Sequence, residues 1–235
     1  MDPNDIKELL TTGDVAKLEE TVRSFDNHET ATEEEERQLI KLRILIWNRI
    51  CGLQQAAGDD TSHTFRNIGK CWMDMGEIER AVGQLKKAIE AKPGDAVCLE
   101  LLGEAYAETA DYQSALDYLN KAVMIREQKA DDKKSLALCY GKLANTCNMK
   151  CDFVDAVQFY EKAESTMKDA GLAGCTEAAT LAGDLGRLLE KTGEYEKAVE
   201  VFTRAHKALC ALKGEADPQT EEIEYLLEMA SNLVG

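Results

Sequence analysis

The chain has 235 residues, 44% of them apolar and only 6% aromatic, with three prolines; the abundance of Ala, Leu, Glu and Lys favours helix throughout. Its 28 basic and 44 acidic side chains leave a formal charge of −16, which repels phosphate backbones and anionic headgroups and excludes nucleic acid and bare membrane as expected partners. No run approaches the roughly 20 apolar residues that cross a bilayer.

The opening MDPNDIKELL is acidic where a secretory or mitochondrial leader would be basic. Eight cysteines (Cys51, Cys71, Cys98, Cys139, Cys147, Cys151, Cys175, Cys210) are scattered through helical segments. They read as reduced thiols, and a cytoplasmic protein is expected. Cys147 and Cys151, the close pair, have no third or fourth metal ligand beside them and read as packing groups.

Residues 1–60 are expected to form a divergent helical cap. TTGDVAKLEETVRSF predicts a short helix with Gly13 and Asp14 at its turn. After the polar DNHETATEEEE, the stretch LIKLRILIWNRICGL predicts an apolar helix started by a capping box of Thr32 and Glu35. Trp47 and the isoleucines are expected to cover the element that follows, and Glu33 to Glu36 to form a solvated helix start.

From residue 62 onward the chain repeats itself. Gly69, Ala81 and Ala88 recur as Gly103, Ala115 and Ala122, each 34 residues on, and Trp72 and Leu85 recur as Tyr106 and Leu119. A third copy at a shift of 41 has Ala144, Cys151, Ala156, Tyr160 and Ala163; a fourth, mostly at 42, has Gly186, Gly193, Ala198, Phe202 and Ala205. A fixed period in this range signals a solenoid. In each copy apolar residues recur every three or four positions on both sides of a break at GE, AD, CD or GE, which predicts two antiparallel helices. Small residues at the crossing allow close approach of the helix axes. The acidic residue after each break is expected to cap the second helix.

These residues resemble the tetratricopeptide repeat family, with Pro93 closing the first repeat. The resemblance covers about residues 62–213 and implies an all-α, right-handed α-solenoid of stacked antiparallel helix hairpins. The repeats are expected at 62–95, 96–129, 137–170 and 179–213, within a domain of 61–217. Glu127 stands where Pro93 would, so the second helix of repeat two is expected to run on by a turn or two before Asp131 and Asp132. RAHKALCALKGEADPQTEEIEYLLEMA resembles kinesin light chain repeats, with Gly214 as C-cap, Asp217 as N-cap and Pro218 as first helical residue. Residues 218–235 then form a capping helix whose Glu221, Glu222, Glu224 and Glu228 make a polar outer face.

The resemblance implies a non-enzymatic protein-protein interaction module, a scaffold that holds a peptide or helix of a partner protein in a groove lined by first helices. Asn145, Asn148, Arg187 and Lys191 are the foremost groove candidates, because asparagine bonds a peptide backbone in either direction. Arg66 and Lys70, with Glu100 and Glu104 one repeat later, are the others. Glu100, Glu104 and Glu108 form a stripe that would attract a basic peptide or be neutralised by Arg66 and Lys70. The carboxylate clamp of heat-shock co-chaperones would need basic and asparagine residues where this chain has Arg66, Lys70, Leu101, Leu138 and Lys142, and the leucines argue against it. No heptad segment for a motor heavy chain is present. His28, His63 and His206 are far apart and neither G-x-S-x-G nor a phosphate-binding loop occurs. No catalytic, cofactor-binding or metal site, and no small-molecule substrate, is expected. The alternative is a structural subunit of a larger cytoskeletal, ciliary or other assembly.

Overall fold

In the computed structural model, residues 8–25, 32–129 and 132–234 are described; Met1, Pro3, His28 and Asp131 lie outside them. Every long element among these residues is a helix. The chain divides into two compact units, residues 1–109 and 110–235.

In the first unit, a helical turn at 8–11 precedes α1 (Val15–Phe25), α2 (Glu33–Ala57), α3 (Ser62–Asp74), α4 (Ile78–Ala91) and α5 (Ala96–Glu108). Asp14 caps α1, its Oδ1 accepting from the Lys17 N–H at 3.2 Å. The expected capping box opens α2: Thr32 Oγ1 accepts from the Glu35 N–H and Glu35 Oε2 from the Thr32 N–H, both at 3.2 Å. Ile40, Ile44, Trp47 and Cys51 recur at four and three residue spacing on its buried face. Ile40, Ile44 and Trp47 form one core with Leu18 and Val22 of α1 and Ile68 and Cys71 of α3.

The second unit holds α6 (Tyr112–Glu127), α7 (Lys133–Met149), α8 (Phe153–Asp169), α9 (Thr176–Thr192), α10 (Tyr195–Lys213) and α11 (Pro218–Val234). Its core runs from Ala137 through Tyr160, Leu185 and Phe202 to Ile223 and Ala230. α11 starts as expected, on Pro218 with Asp217 Oδ1 accepting from the Gln219 N–H at 3.0 Å. Gly214, at φ +92°, ends α10.

The recurring alanines are at the bottom of each second helix. Ala81, Leu85 and Ala88 of α4, Ala115, Leu119 and Ala122 of α6, Ala156, Tyr160 and Ala163 of α8, and Ala198, Phe202 and Ala205 of α10 are all buried. The spacing of four and then three keeps each trio on one face, and in α4 and α10 the small ends let the large middle residue, Leu85 or Phe202, enter the facing helix at Gly69 or Gly186. In the α3–α4 hairpin a Cβ on Gly69 would fall 2.7 Å from Leu85 Cγ.

The four breaks share one backbone solution. Gly76, Ala110, Cys151 and Gly193 have φ of +73°, +61°, +67° and +82°, the left-handed region that ends a helix and reverses the chain. The acidic residue that follows caps by its side chain in one case: Asp111 Oδ1 accepts from the Ser114 N–H at 3.2 Å. Glu77, Asp152 and Glu194 make no such bond, a correction to the expected capping. Lys150 at 2.7 Å takes the Asp152 carboxylate and Lys197 that of Glu194.

The longer period of the later repeats is also absorbed differently from expectation. α6 ends at Glu127, two residues past the position that matches the end of α4 at Ala91. Asp132 stops it, because its Oδ2 pairs with the buried Arg126 Nη1 at 2.8 Å while its Oδ1 accepts from the Ser135 N–H and starts α7. The added residues first lengthen the first helix, 17 residues in α7 against 13 in α3 and α5. They then lengthen the second helices too, 17 residues in α8 and 19 in α10 against 14 in α4, the long α10 matching the expected prolonged helix of the last repeat.

Candidate protein-interaction site

First helices α7 and α9 lie side by side because Gly141 leaves room for Leu181, whose Cδ2 would stand 2.5 Å from a Cβ at 141. Beside that contact opens a cleft of about 410 Å3, lined by Leu138 and Asn145 of α7, Glu177, Thr180 and Asp184 of α9, and Tyr160 reaching up from α8. Its floor is apolar and its rims are polar, with Lys134 and Glu177 paired at 2.7 Å across one end. Asn145 and Thr180 are exposed on opposite walls. A side-chain amide and a hydroxyl over a leucine floor suit an extended peptide, whose backbone offers alternating donors and acceptors.

Burial pushes the Asp184 carboxyl above its usual range, against the pull of Arg187, and Glu222 adds to the rise. Burial likewise raises the Tyr160 phenol, with Asp184 adding to it. The Asp184 end of the cleft is therefore the place where a donor from a ligand would be best accepted.

The structure brings the four foremost candidates onto α7 and α9, and it already occupies three of them. Lys191 Nζ donates to Asn148 Oδ1 at 3.1 Å and stands 4.7 Å from the centroid of the Phe153 ring. Arg187 pairs with Glu222 of α11 at 3.0 Å and with Asp184 at 3.8 Å. Asn145 projects into the cleft mouth. Of these partners, Asp184, Phe153 and Glu222 were not among the sequence candidates. Glu222 lies 42 residues after Thr180 of the cleft wall, so the repeat period was a signal for that last pairing.

The other four candidates belong to the first unit. Arg66 Nη1 donates to Asp95 Oδ2 at 2.6 Å, tying α3 to the start of α5, where Asp95 Oδ1 also accepts from the Val97 and Cys98 N–H groups. That engagement also removes Arg66 from the clamp arrangement. Glu100 is 5% exposed, whereas a groove-facing carboxylate would be open to solvent. Glu104 is half-buried. Lys70 is exposed at a separate polar cavity of about 700 Å3 that also meets Trp47 and His63.

None of the eight cysteines is in a disulfide. No helix among the described residues is long and apolar enough to cross a membrane.

Two tetratricopeptide repeat family models match the chain, one over residues 95–169 and one over 180–217. The Protein CTR9 homolog of Arabidopsis thaliana is 26% identical over 138 residues, 59% of this chain and 12% of that protein. The human Superkiller complex protein 3 is 27% identical over 165 residues, 70% of this chain and 10% of that protein. The chain thus spans about a tenth of the length of the curated relatives it matches. Among solved structures, BtubC (BKLC) from P. vanneervenii is similar with a TM-score of 0.70 at 16% identity, covering 88% of this chain and 85% of that one. The nearly identical TPR-like repeats of a Podosopora anserina protein described as a kinesin light chain give 0.69 at 13%, covering 86% and 97%. MamA gives 0.56 at 21%, covering 77% and 95%. At these identities the structural likenesses speak to fold alone, and the fold is an all-α solenoid of stacked helix hairpins. The chain carries tetratricopeptide repeats, matched over residues 95–169 and 180–217.

Proposed function

We propose that this chain is a non-enzymatic scaffold that holds an extended peptide or a helix of a partner protein in the cleft between α7 and α9. The observation that carries the reading is the cleft itself: about 410 Å3 between two first helices, with Asn145 and Thr180 on its walls, Leu138 on its floor and Asp184 at one end. Asn148, Arg187 and Lys191 serve as positioning residues whose mutual and neighbouring bonds hold the walls in place. The partner is a protein, with no nucleic acid, membrane insertion or small-molecule substrate involved.

A second reading is a structural subunit of a larger assembly, cytoskeletal, ciliary or other, in the cytoplasm. It is favoured by the Superkiller complex protein 3, whose name places that protein in a complex.

The test is affinity isolation of the wild-type chain beside an Asn145→Arg/Thr180→Arg variant, with partners quantified by mass spectrometry. Filling the cleft mouth is expected to remove one partner at least about tenfold while circular dichroism stays unchanged. Retention of all partners, with co-fractionation at high mass, overturns the cleft reading in favour of the subunit.

A further inference from the structure

The helix stack of the second unit has a register that predicts what its last helix should face. Gly141 of α7 receives Leu181 of α9, and Gly183 of α9 receives Ile223 of α11, where a Cβ at 183 would fall 2.8 Å from Ile223 Cδ1. Receiver and inserted residue both advance by 42, from 141 to 183 and from 181 to 223. The next receiver in this series is Tyr225, and it is 61% exposed.

Two further positions, one and two turns on, follow the same step, and their counterparts Asn145, Met149 and Lys191 stay exposed beside the packed helices. Met229 succeeds Asn145 and Arg187; Leu233 succeeds Met149 and Lys191. Both are exposed, at 43% and 51%. Residues 225, 229 and 233 are spaced by four and stand one above another along the helix. The row is Gly, Asn, Met on α7 and Gly, Arg, Lys on α9, yet Tyr, Met, Leu on α11. This row on α11 is thus more apolar than the matching rows on α7 and α9, the reverse of what solvent alone would favour. The expected polar outer face of this helix is only partly present: Glu221, Glu222, Glu224 and Glu228 are exposed, but they share the surface with this apolar row.

We infer that the exposed face of α11 is an open stacking surface that takes an amphipathic helix of another protein, with an apolar row to cover Tyr225, Met229 and Leu233 and basic residues along one flank. Two observations fix this occupant. At Tyr225 the face continues a receiving position already used twice in the same unit, at Gly141 and Gly183, so a helix laid against it is the element that fits. A hairpin partner like α10 does not fit, because Glu228 stands where Gly186 admits Phe202. The second observation is charge. Glu221, Glu224 and Glu228 border the row, and α11 contains neither lysine nor arginine. A second copy of this chain, at −16, would set acid against acid, whereas lysines or arginines meet it favourably.

The test uses a synthetic helical peptide of about 18 residues with leucines at i, i+4 and i+8 and lysines along one flank, alongside a version with glutamates on that flank. Binding is followed by fluorescence anisotropy. The wild-type chain is expected to bind the lysine-flanked peptide at least about tenfold more tightly than the glutamate-flanked one. Tyr225→Ser/Met229→Ser is expected to lose about tenfold or more of that affinity, and Asn145→Arg/Thr180→Arg to retain it, which separates this surface from the cleft. Absence of binding, equal binding of the two peptides, or undiminished binding by the serine variant overturns the inference. So does a wild-type dimer in sedimentation that the serine variant dissociates, since the occupant would then be a second copy.

Discussion

Phe202 lies over Gly186 so closely that a β-carbon at 186 would fall 2.5 Å from the edge of its ring, and Phe202 itself has no exposed surface. The hairpin of α9 and α10 closes on this contact, as that of α3 and α4 closes on Gly69 and Leu85. Gly186→Ala therefore forces the ring or the helix to shift and is expected to destabilise the second unit by about 2–3 kcal/mol. Gly83→Ala, in open space on α4, should instead be neutral or stabilising by up to about 1 kcal/mol. Thermal unfolding followed by circular dichroism distinguishes the two; equal midpoints would show that the crossing tolerates a methyl group.

Cys151 carries a side chain at φ +67°, a conformation that glycine holds at the matching positions 76 and 193. It is exposed, so truncating it removes little packing. Cys151→Gly is expected to stabilise by about 1 kcal/mol, a rise of roughly 2–4 °C in the unfolding midpoint. The reverse exchange, Gly193→Ala, should lower it by a similar amount.

Asp95 links charge to stability. Burial raises its carboxyl, but Arg66 and the Cys98 and Val97 N–H groups outweigh this and hold it below the usual carboxylate range. A carboxyl depressed in the folded chain stabilises folding above its unfolded value, and that contribution is lost as pH falls through the folded one. The wild-type midpoint is therefore expected to drop below about pH 4, with a shallower acid dependence in Asp95→Asn. Asparagine is as good an N-cap as aspartate, so the loss at pH 7, about 1–3 kcal/mol, isolates the Arg66 pair.

Thiol reactivity should divide by burial. Burial, with Asp95 adding to it, pushes the Cys98 thiol up to about 12; burial, with Asp155 and Asp152, pushes Cys147 up to about 11. The thiolate is the reactive form, so at pH 8 a disulfide-exchange reagent is expected to label exposed Cys151 first. Cys98 should react on the order of a hundredfold or more slowly, until denaturant is added. Rapid labelling of Cys98 in the native protein would show that α5 opens locally.

The helices, their pairing into hairpins and the capping box at Thr32 were legible in the sequence because they depend on near neighbours and on a period that counting reveals. The fate of the candidate site was less so. Arg66 and Lys70 stand one turn apart on α3, yet Arg66 turns to Asp95, 29 residues on, and Lys70 stays on the surface. Asn148 and Lys191 were candidates for separate ligand contacts, and they bond each other across 43 residues. The second helix of repeat two stops early because Asp132 has both a guanidinium and a helix to serve.

The sequence by itself determined that small residues recur at helix crossings, which dictates paired helices and hence the solenoid class, since only close approach makes use of glycine and alanine there. Which polar groups are spent on neighbours, which carboxylates are buried, and which apolar row on α11 faces outward were decided by the tertiary structure. Those outcomes depend on distances between side chains far apart in the chain, and a hydrogen bond or an ion pair is settled within an ångström.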